Sequence, residues 1–377
     1  MGVFNLGPKI YMGPGTLGAV LNGLKRFFIV TDEFMRASKK VRYVTEAVDE
    51  VGGDSLIFSG VKPDPDTHII AAGVKEAASF RPDCIVAFGG GSVIDVAKAI
   101  RFFGKERIGD CFLVIIPTTS GTGSEVSNYS VITDAEKMVK YPLTSDLLLP
   151  DAAILDASLV MSVPPSVTAD TGIDVLTHAV EAFVSKGHTD FSDAMAEKAI
   201  KLVCGNLYTV YLRPDDYDAR QAMHNASCMA GVAFSNAGLG LNHAMAHALG
   251  AVFHIPHGRA NGILLPYVMM FNAGCTTKLT PAAERYAQIA SFLDLDTSAL
   301  RPAALSVIRS IRGLIGKINI PTSIGAAGIG RDEFEANLGR LADAATEDAC
   351  RASNPTDSKR EDIIHIYRGA FCGRYLV

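Results

Sequence analysis

Short apolar, β-rich runs alternate with helical patterns through the first part of the chain, and after Ala157 the strand signal stops. The runs fall at residues 27–31, 55–59, 84–88, 112–116 and 153–155. Several are apolar on consecutive residues, the pattern of strands covered on both faces. Residues 69–78 and 93–102 carry helical periodicity between them. Such alternation specifies a mostly parallel sheet with helices on both sides, because parallel neighbours need crossover connections. Helical periodicity then continues through residues 191–210, 218–233, 281–293, 304–315, 331–345 and 360–371. Thr280 before Pro281 reads as a helix start, a capping hydroxyl followed by a proline at the first helical position.

The expected fold is an α/β, Rossmann-like nucleotide-binding domain over residues 1–159 and an all-α domain over residues 160–377. Pro164-Pro165 marks the junction, and the active site is expected between the two domains. A length of 377 residues suits two cores better than one. No internal repeat or low-complexity segment interrupts the pattern.

Charge and composition exclude several function classes. The net charge is -5 with no basic block, so a nucleic-acid partner is not expected. Cys84, Cys111, Cys204, Cys228, Cys275, Cys350 and Cys372 form neither a CxxC pair nor a regular spacing. They read as free thiols in a reducing, cytoplasmic setting. The N-terminus lacks the basic and apolar regions of a signal peptide, and Leu6 stands where a myristoylation signal needs Ser or Thr. From Gln221 to Gly258 there is no Asp, Glu, Lys or Arg, but Asn225, Ser227, Ser235, Asn236, Asn242 and several histidines interrupt the stretch. It reads as helices buried inside protein, with no membrane partner.

Two glycine-rich loops compete for a phosphate-binding role. Gly13-Pro14-Gly15-Thr16-Leu17-Gly18 satisfies GxGxxG, but the following helix is short and the next strand-end acid, Asp32, arrives early. It reads better as a tight turn. Gly89-Gly90-Gly91-Ser92 follows a strand and opens a helix, where free amides face an anion and glycines allow close approach. Thr118, Thr119 and Thr122, after the next strand, add hydroxyls suited to ribose, phosphate or a nicotinamide amide. Asp32 can accept from an adenosine ribose and would repel a 2′-phosphate, favouring NAD over NADP.

Four of the nine histidines, His243, His247, His254 and His257, lie close together. His243 and His247 are four apart, as are Asp174 and His178, so each pair shares a helix face. One carboxylate and three imidazoles suit a divalent metal with a position left open for substrate. The alternative is a set of hydrogen-bonded core histidines, and Asp-x-x-x-His alone does not decide between them.

Residues 89–92, 117–125, 171–181 and 238–266 resemble the iron-containing (group III) alcohol dehydrogenases. The resemblance extends over essentially the whole chain, including Asn354-Pro355 and Glu361-Asp362-Ile363. Within the family, residues 116–127, Lys140-Tyr141-Pro142-Leu143 and 223–227 are similar to the 1-propanol dehydrogenases of propanediol-utilisation microcompartments. The resemblance implies a dehydroquinate synthase-like architecture, NAD(H) as cofactor, and ferrous iron, with zinc as the alternative metal. It implies Asp174, His178, His243 and His257 as ligands and His247 as the catalytic histidine beside substrate and nicotinamide. By the same resemblance Gly90, Gly91 and Ser92 are expected to take the pyrophosphate, and Thr118, Thr119, Thr122, Ser127, Val131 and Lys140 to line the cofactor cleft. Phe234 and Cys350 match positions that face a small substrate pocket in the family. Tyr129 departs from the smaller polar residue of some relatives, which changes that pocket's size. His254 matches no ligand position and is structural.

The implied reaction interconverts short primary alcohols and aldehydes, with propanal reduced to 1-propanol. A homodimer or larger homo-oligomer in the cytoplasm, or inside a bacterial microcompartment, is implied with it. Related readings are lactaldehyde reductase, 1,3-propanediol dehydrogenase and butanol dehydrogenase. A dehydroquinate synthase-like lyase would need basic residues near the metal for its phosphorylated substrate, and the ligand-bearing segments are nearly free of them. A non-catalytic derivative would show a damaged ligand set, whereas all four positions are intact.

Overall fold

A computed structural model describes residues 3–136 and 139–374, the side chains of 139 and 140 excepted. Asn5–Ser162 form one compact unit and Val163 onward another, to which Phe4 also belongs. The two units are described in turn.

The first unit holds strands β1 (Lys9–Met12), β2 (Arg26–Asp32), β3 (Asp54–Val61), β4 (Cys84–Gly89), β5 (Phe112–Pro117), β6 (Tyr129–Asp134), β7 (Val139–Thr144) and β8 (Ala152–Leu155). Its helices are α1 (Leu17–Leu21), α2 (Glu33–Ala37), α3 (Arg42–Glu50), α4 (Thr67–Phe80) and α5 (Gly91–Ile108). Six strands form a parallel sheet in the order β1-β8-β5-β4-β2-β3. Alternate residues of the apolar runs serve opposite faces. Phe28, Val30, Ile85 and Ile115 pack with Ile70, Val74 and Ile100 of α4 and α5. Phe27, Ile29, Val86 and Val114 pack with Leu21, Val44 and Val48 of α1 and α3. Burial on both faces explains why these strands are apolar without alternation.

Three strands lie outside the pattern read from the sequence. β1 is a mostly exposed edge pairing only with β8, so it lacks a long apolar run. β6 and β7 form a separate antiparallel hairpin, and β7 contains Pro142, which weakens its strand signature.

β2 and β4 are neighbours, although β3 follows β2 in the chain. The order reverses between them, which is where an open α/β sheet offers a ligand crevice at its carboxyl ends.

The second unit comprises α6 (Pro165–Val184), α7 (Asp190–Leu212), α8 (Tyr217–Ala237), α9 (Leu241–Phe253), α10 (His257–Ala273), α11 (Ala282–Phe292), α12 (Leu300–Lys317), α13 (Arg331–Glu347) and α14 (Arg360–Cys372). Pro165 opens α6, where a missing N–H costs nothing. The stretch without formal charges forms most of α8 and all of α9, both largely buried. No helix among the described residues is long and apolar enough to cross a membrane.

One helix start departs from expectation. α11 begins at Ala282 with no side-chain cap, and the Thr280 hydroxyl donates instead to the carbonyl oxygen of Asn272. A tertiary acceptor displaces the local cap.

Candidate metal centre and dinucleotide loops

Asp174 and His178 lie one turn apart on α6, His243 lies on α9, and His257 opens α10. The helices approach closely enough that a Cβ at Gly258 would collide with the carbonyl oxygen of Asp170. Arg259 of α10 donates to both carboxylate oxygens of Asp170, at 3.0 and 3.1 Å, fastening the same two helices. One ligand atom from each of Asp174, His178, His243 and His257 lies within 4.8 Å of the other three. Oδ1 of Asp174 is 3.8 Å from Nε2 of His243 and 3.6 Å from Nε2 of His257.

These residues fit a divalent cation. Nδ2 of Asn261 lies 2.7 Å from Asp174 Oδ1 and 3.1 Å from Nε2 of both His243 and His257, which measures how closely the donors converge. Burial, reinforced by the neighbouring histidines against the pull of Asp174, lowers His178 to about 3. Burial and the same histidines hold His243 far below its ordinary range. Neutral imidazoles are the form that ligates a metal. Nδ1 of His178 is buried without a hydrogen-bond partner among the described residues, and a metal held by the four residues would compensate the cost of burying this polar ring.

Three residues to which the sequence reading assigned no role organise this centre. Glu181, on α6 beyond His178, accepts from Asn242 N at 2.7 Å and lies 2.5 Å from Nδ1 of His243. Burial pushes its carboxyl up to about 8 against those hydrogen bonds. Asn354 accepts from Leu241 N at 3.0 Å, so Glu181 and Asn354 together satisfy the first N–H groups of α9. Asp348 lies 2.8 Å from Nδ1 of His247. Burial raises the Asp348 carboxyl, but hydrogen bonds from His247 and Cys350 outweigh it and hold it near 2. The only local signals were the position of Glu181 three residues past His178 and the proximity of Asp348 to Cys350.

His247 is half-exposed, with its ring 6.0 Å from His243 and 5.3 Å from His257. Phe234 stacks on His178 at 4.7 Å and is buried. Cys350 follows Asp348, which accepts from its backbone N–H at 2.8 Å. His254 ends α9 in the left-handed conformation, φ 55°, outside the four-donor cluster.

The residues expected at the dinucleotide divide between the carboxyl ends of adjacent strands β2, β4 and β5 and the segment and hairpin that follow β5. Asp32 ends β2 and also caps α2, accepting from Met35 N at 2.8 Å. Gly90, Gly91 and Ser92 join β4 to α5. A Cβ on Gly91 would press into the Thr122 methyl at 2.8 Å, so a side chain where the two loops meet would have to displace Thr122. Thr118 follows β5, and its buried hydroxyl has no partner among the described residues. Thr119 lies beside Gly90. Ser127 accepts from Lys98, and Val131 N donates to Asp95. Tyr129 opens β6. Lys140 pairs with Thr133 in the hairpin backbone, its side chain lying outside the described residues. The earlier glycine motif forms a turn, with φ 86° at Gly13 and 76° at Gly15, into the five-residue α1.

Residues 7–157 match the family described as iron-containing alcohol dehydrogenase, and residues 168–371 match the C-terminal part of the same family. A 1-propanol dehydrogenase from Salmonella typhimurium is 43% identical, covering 96% of this chain and 98% of that protein. An NADPH-dependent butanol dehydrogenase from Clostridium saccharobutylicum is 38% identical over 98% of each. The solved structure of a sulfoacetaldehyde reductase from Bifidobacterium kashiwanohense in complex with NAD+ superposes with a TM-score of 0.87 at 28% identity, covering 98% of each chain.

Proposed function

Because the chain belongs to the iron-containing alcohol dehydrogenase family, we propose that it reduces short unbranched aldehydes, propanal foremost, to primary alcohols with NADH. The observation that carries this reading is the convergence of Asp174, His178, His243 and His257 beside His247. Those four residues would hold the iron. Bound there, a divalent metal acts as a Lewis acid that polarises an alcohol or aldehyde oxygen. Iron is the metal of the family name, and zinc binds such nitrogen and oxygen donors more tightly.

The chain's own residues supply positioning and proton transfer. Asp348 accepts from Nδ1–H of His247, which presents Nε2 for proton exchange. In the oxidative direction His247 accepts the proton released from the alcohol. In the reductive direction it returns one to the nascent alcohol. Glu181 holds Nδ1–H of His243 and so turns its Nε2 toward Asp174 and His257. Phe234 and Cys350 would bound the substrate, and Asp32 would take the adenosine ribose and disfavour NADPH. The butanol dehydrogenase relative uses NADPH, so the identity of residue 32 carries the cofactor reading.

A homo-oligomer and an address in the cytoplasm, or alternatively inside a bacterial microcompartment, belong to the same reading. The resemblance of residues 116–127, 140–143 and 223–227 to the 1-propanol dehydrogenases of propanediol-utilisation microcompartments is what supports it. Sedimentation of the pure protein and co-purification with compartment shells test these points. The activity is tested with iron-loaded protein prepared without oxygen, by following NADH consumption with propanal, butanal and lactaldehyde. Propanal should be the best substrate, and absence of turnover with all three would overturn the proposal.

A further inference from the structure

We infer that Lys98, with Asp95, is a positioning device that shapes segment 124–131 to receive the nicotinamide half of the dinucleotide. This rests on the reading above, in which Ser127 and Val131 contact the cofactor. Neither Lys98 nor Asp95 had a role in it.

Lys98 lies on α5 with no solvent exposure. Its ammonium reaches Ser124 Oγ at 3.1 Å, Ser127 Oγ at 3.2 Å, Ser127 O at 2.8 Å and Tyr129 O at 2.9 Å. Three N–H groups thus share four acceptors. One turn earlier, Asp95 Oδ1 accepts from Ser124 Oγ at 3.0 Å and Oδ2 from Val131 N at 3.2 Å. The Asp95 carbonyl also accepts from Ser130 Oγ at 2.9 Å. Ser124, Ser127, Tyr129, Ser130 and Val131 therefore all hang from a single turn of one helix.

Stability alone does not call for this arrangement. Well-packed apolar side chains often replace buried charged pairs without loss of stability. What an apolar replacement cannot do is gather the inward-facing carbonyls of Ser127 and Tyr129. Residues 118–128 contain no helix or strand, so no backbone ladder sets their course. The ammonium supplies that order from within. The first turn of α5 carries Gly91 and Ser92, and a later turn holds the second loop, so one rigid element registers both parts of the ligand.

The partition of affinity between the two halves of the cofactor tests this. Dissociation constants for NADH and for ADP are measured on the iron-loaded full chain and on Lys98→Met and Asp95→Asn. ADP should bind the variants as it binds the unmodified protein, since Asp32 and Gly90–Ser92 are untouched. NADH should bind Lys98→Met at least about tenfold more weakly, the scale of losing charged hydrogen bonds. Asp95→Asn keeps side-chain shape, so it provides the same comparison if the lysine variant does not fold, with a smaller NADH-specific loss expected. Equal weakening of ADP and NADH, or unchanged NADH affinity in a folded variant, would overturn the inference. Failure of the unmodified protein to bind NADH would instead strike the cofactor reading itself.

Discussion

Oε2 of Glu181 lies 2.5 Å from Nδ1 of His243, while Oε1 of the same carboxylate accepts from the backbone N–H of Asn242 at 2.7 Å. One side chain thus fixes both the ring orientation of a histidine of the four-donor cluster and the start of the helix that carries it. In its ionised form, which a cation at the site would favour against the burial that raises this carboxyl to about 8, the acceptor also raises the basicity of the histidine's other nitrogen. Glu181→Gln keeps the shape and weakens the acceptor, so metal affinity should fall by about 10- to 100-fold, the usual range for such partners. Competition against a graded series of chelators measures it. Chelator resistance equal to that of the parent would show that Glu181 is a capping residue only.

Metal retention separates the ligands from the proton carrier. Asp174→Ala and His257→Ala each delete a member of the four-donor cluster and should lose both metal and activity. His247 engages Asp348 outside that cluster. His247→Ala should keep most of the metal and slow turnover by about 10²- to 10⁴-fold, the usual range for general acid–base groups. Elemental analysis beside steady-state rates decides the assignment. Metal loss in His247→Ala equal to that of the ligand variants would move His247 into the ligand set.

The parts of the molecule legible in the sequence are those whose signal is local. β4 is apolar on consecutive residues because both its faces are covered, and the turn into α5 announces itself through glycines. The four-residue spacings of Asp174 with His178, and of His243 with His247, directly encode helix faces. Glu181 and Asp348 meet their histidines across 62 and 101 residues, a separation that no local pattern carries. Lys98 was hidden for another reason. A lysine in a helix ordinarily marks a solvated face, and only the oxygens of segment 124–131 make its burial tolerable. Thr280 failed in the opposite sense, because its capping pattern is genuine but the Asn272 carbonyl competes for the hydroxyl.

The buried Glu125 should leave a pH signature on stability. Burial pushes its carboxyl from 4.5 up to about 7, against the opposing effects of a backbone hydrogen bond and Lys98. The folded state therefore binds a proton more tightly than the unfolded state does. Its contribution is fully present below about pH 4.5 and is lost as pH rises through about 7. Burial raises Asp95 similarly, to about 6, despite Lys98, and adds to the slope. At about 1.4 kcal/mol per unit, the Glu125 part amounts to roughly 3 kcal/mol at most. Denaturant unfolding at pH 5 and pH 8 should show a smaller difference for Glu125→Gln than for the parent. Identical pH slopes would show that Glu125 ionises as freely in the folded protein as in the unfolded chain.

Asp32 caps α2, and a single substitution tests the second role proposed for it, at the cofactor. Its Oδ1 accepts from Met35 N, capping α2, while the carboxylate as a whole would repel a 2′-phosphate. Glycine is tolerated at an N-cap at a cost of only a few tenths of a kcal/mol. Asp32→Gly should therefore remain folded and show a higher ratio of NADPH to NADH efficiency. kcat/KM with each cofactor at fixed propanal measures the change. An unaltered ratio in the folded variant would remove Asp32 from the cofactor site.

Phe234 is proposed to connect substrate size to the metal centre. Its ring stacks on His178 of the four-donor cluster at 4.7 Å, and the side chain is buried near the end of α8. As a pocket wall it would limit chain length, while the reacting carbonyl needs only its oxygen within reach of the metal. Each added methylene contributes about 0.8 kcal/mol where it is buried without strain, and overfilling reverses the gain. Efficiency should therefore rise from ethanal to about three or four carbons and then fall. Phe234→Ala opens the wall and should move the optimum to longer aldehydes. It also removes the stacking partner of His178, so metal content must be measured in the same preparation to separate a wider pocket from a depleted centre. The measurement is kcat/KM per bound metal from ethanal to octanal for both proteins. A steady rise through octanal in the parent would defeat the small-pocket reading, and an unmoved optimum in fully metallated Phe234→Ala would place the wall elsewhere.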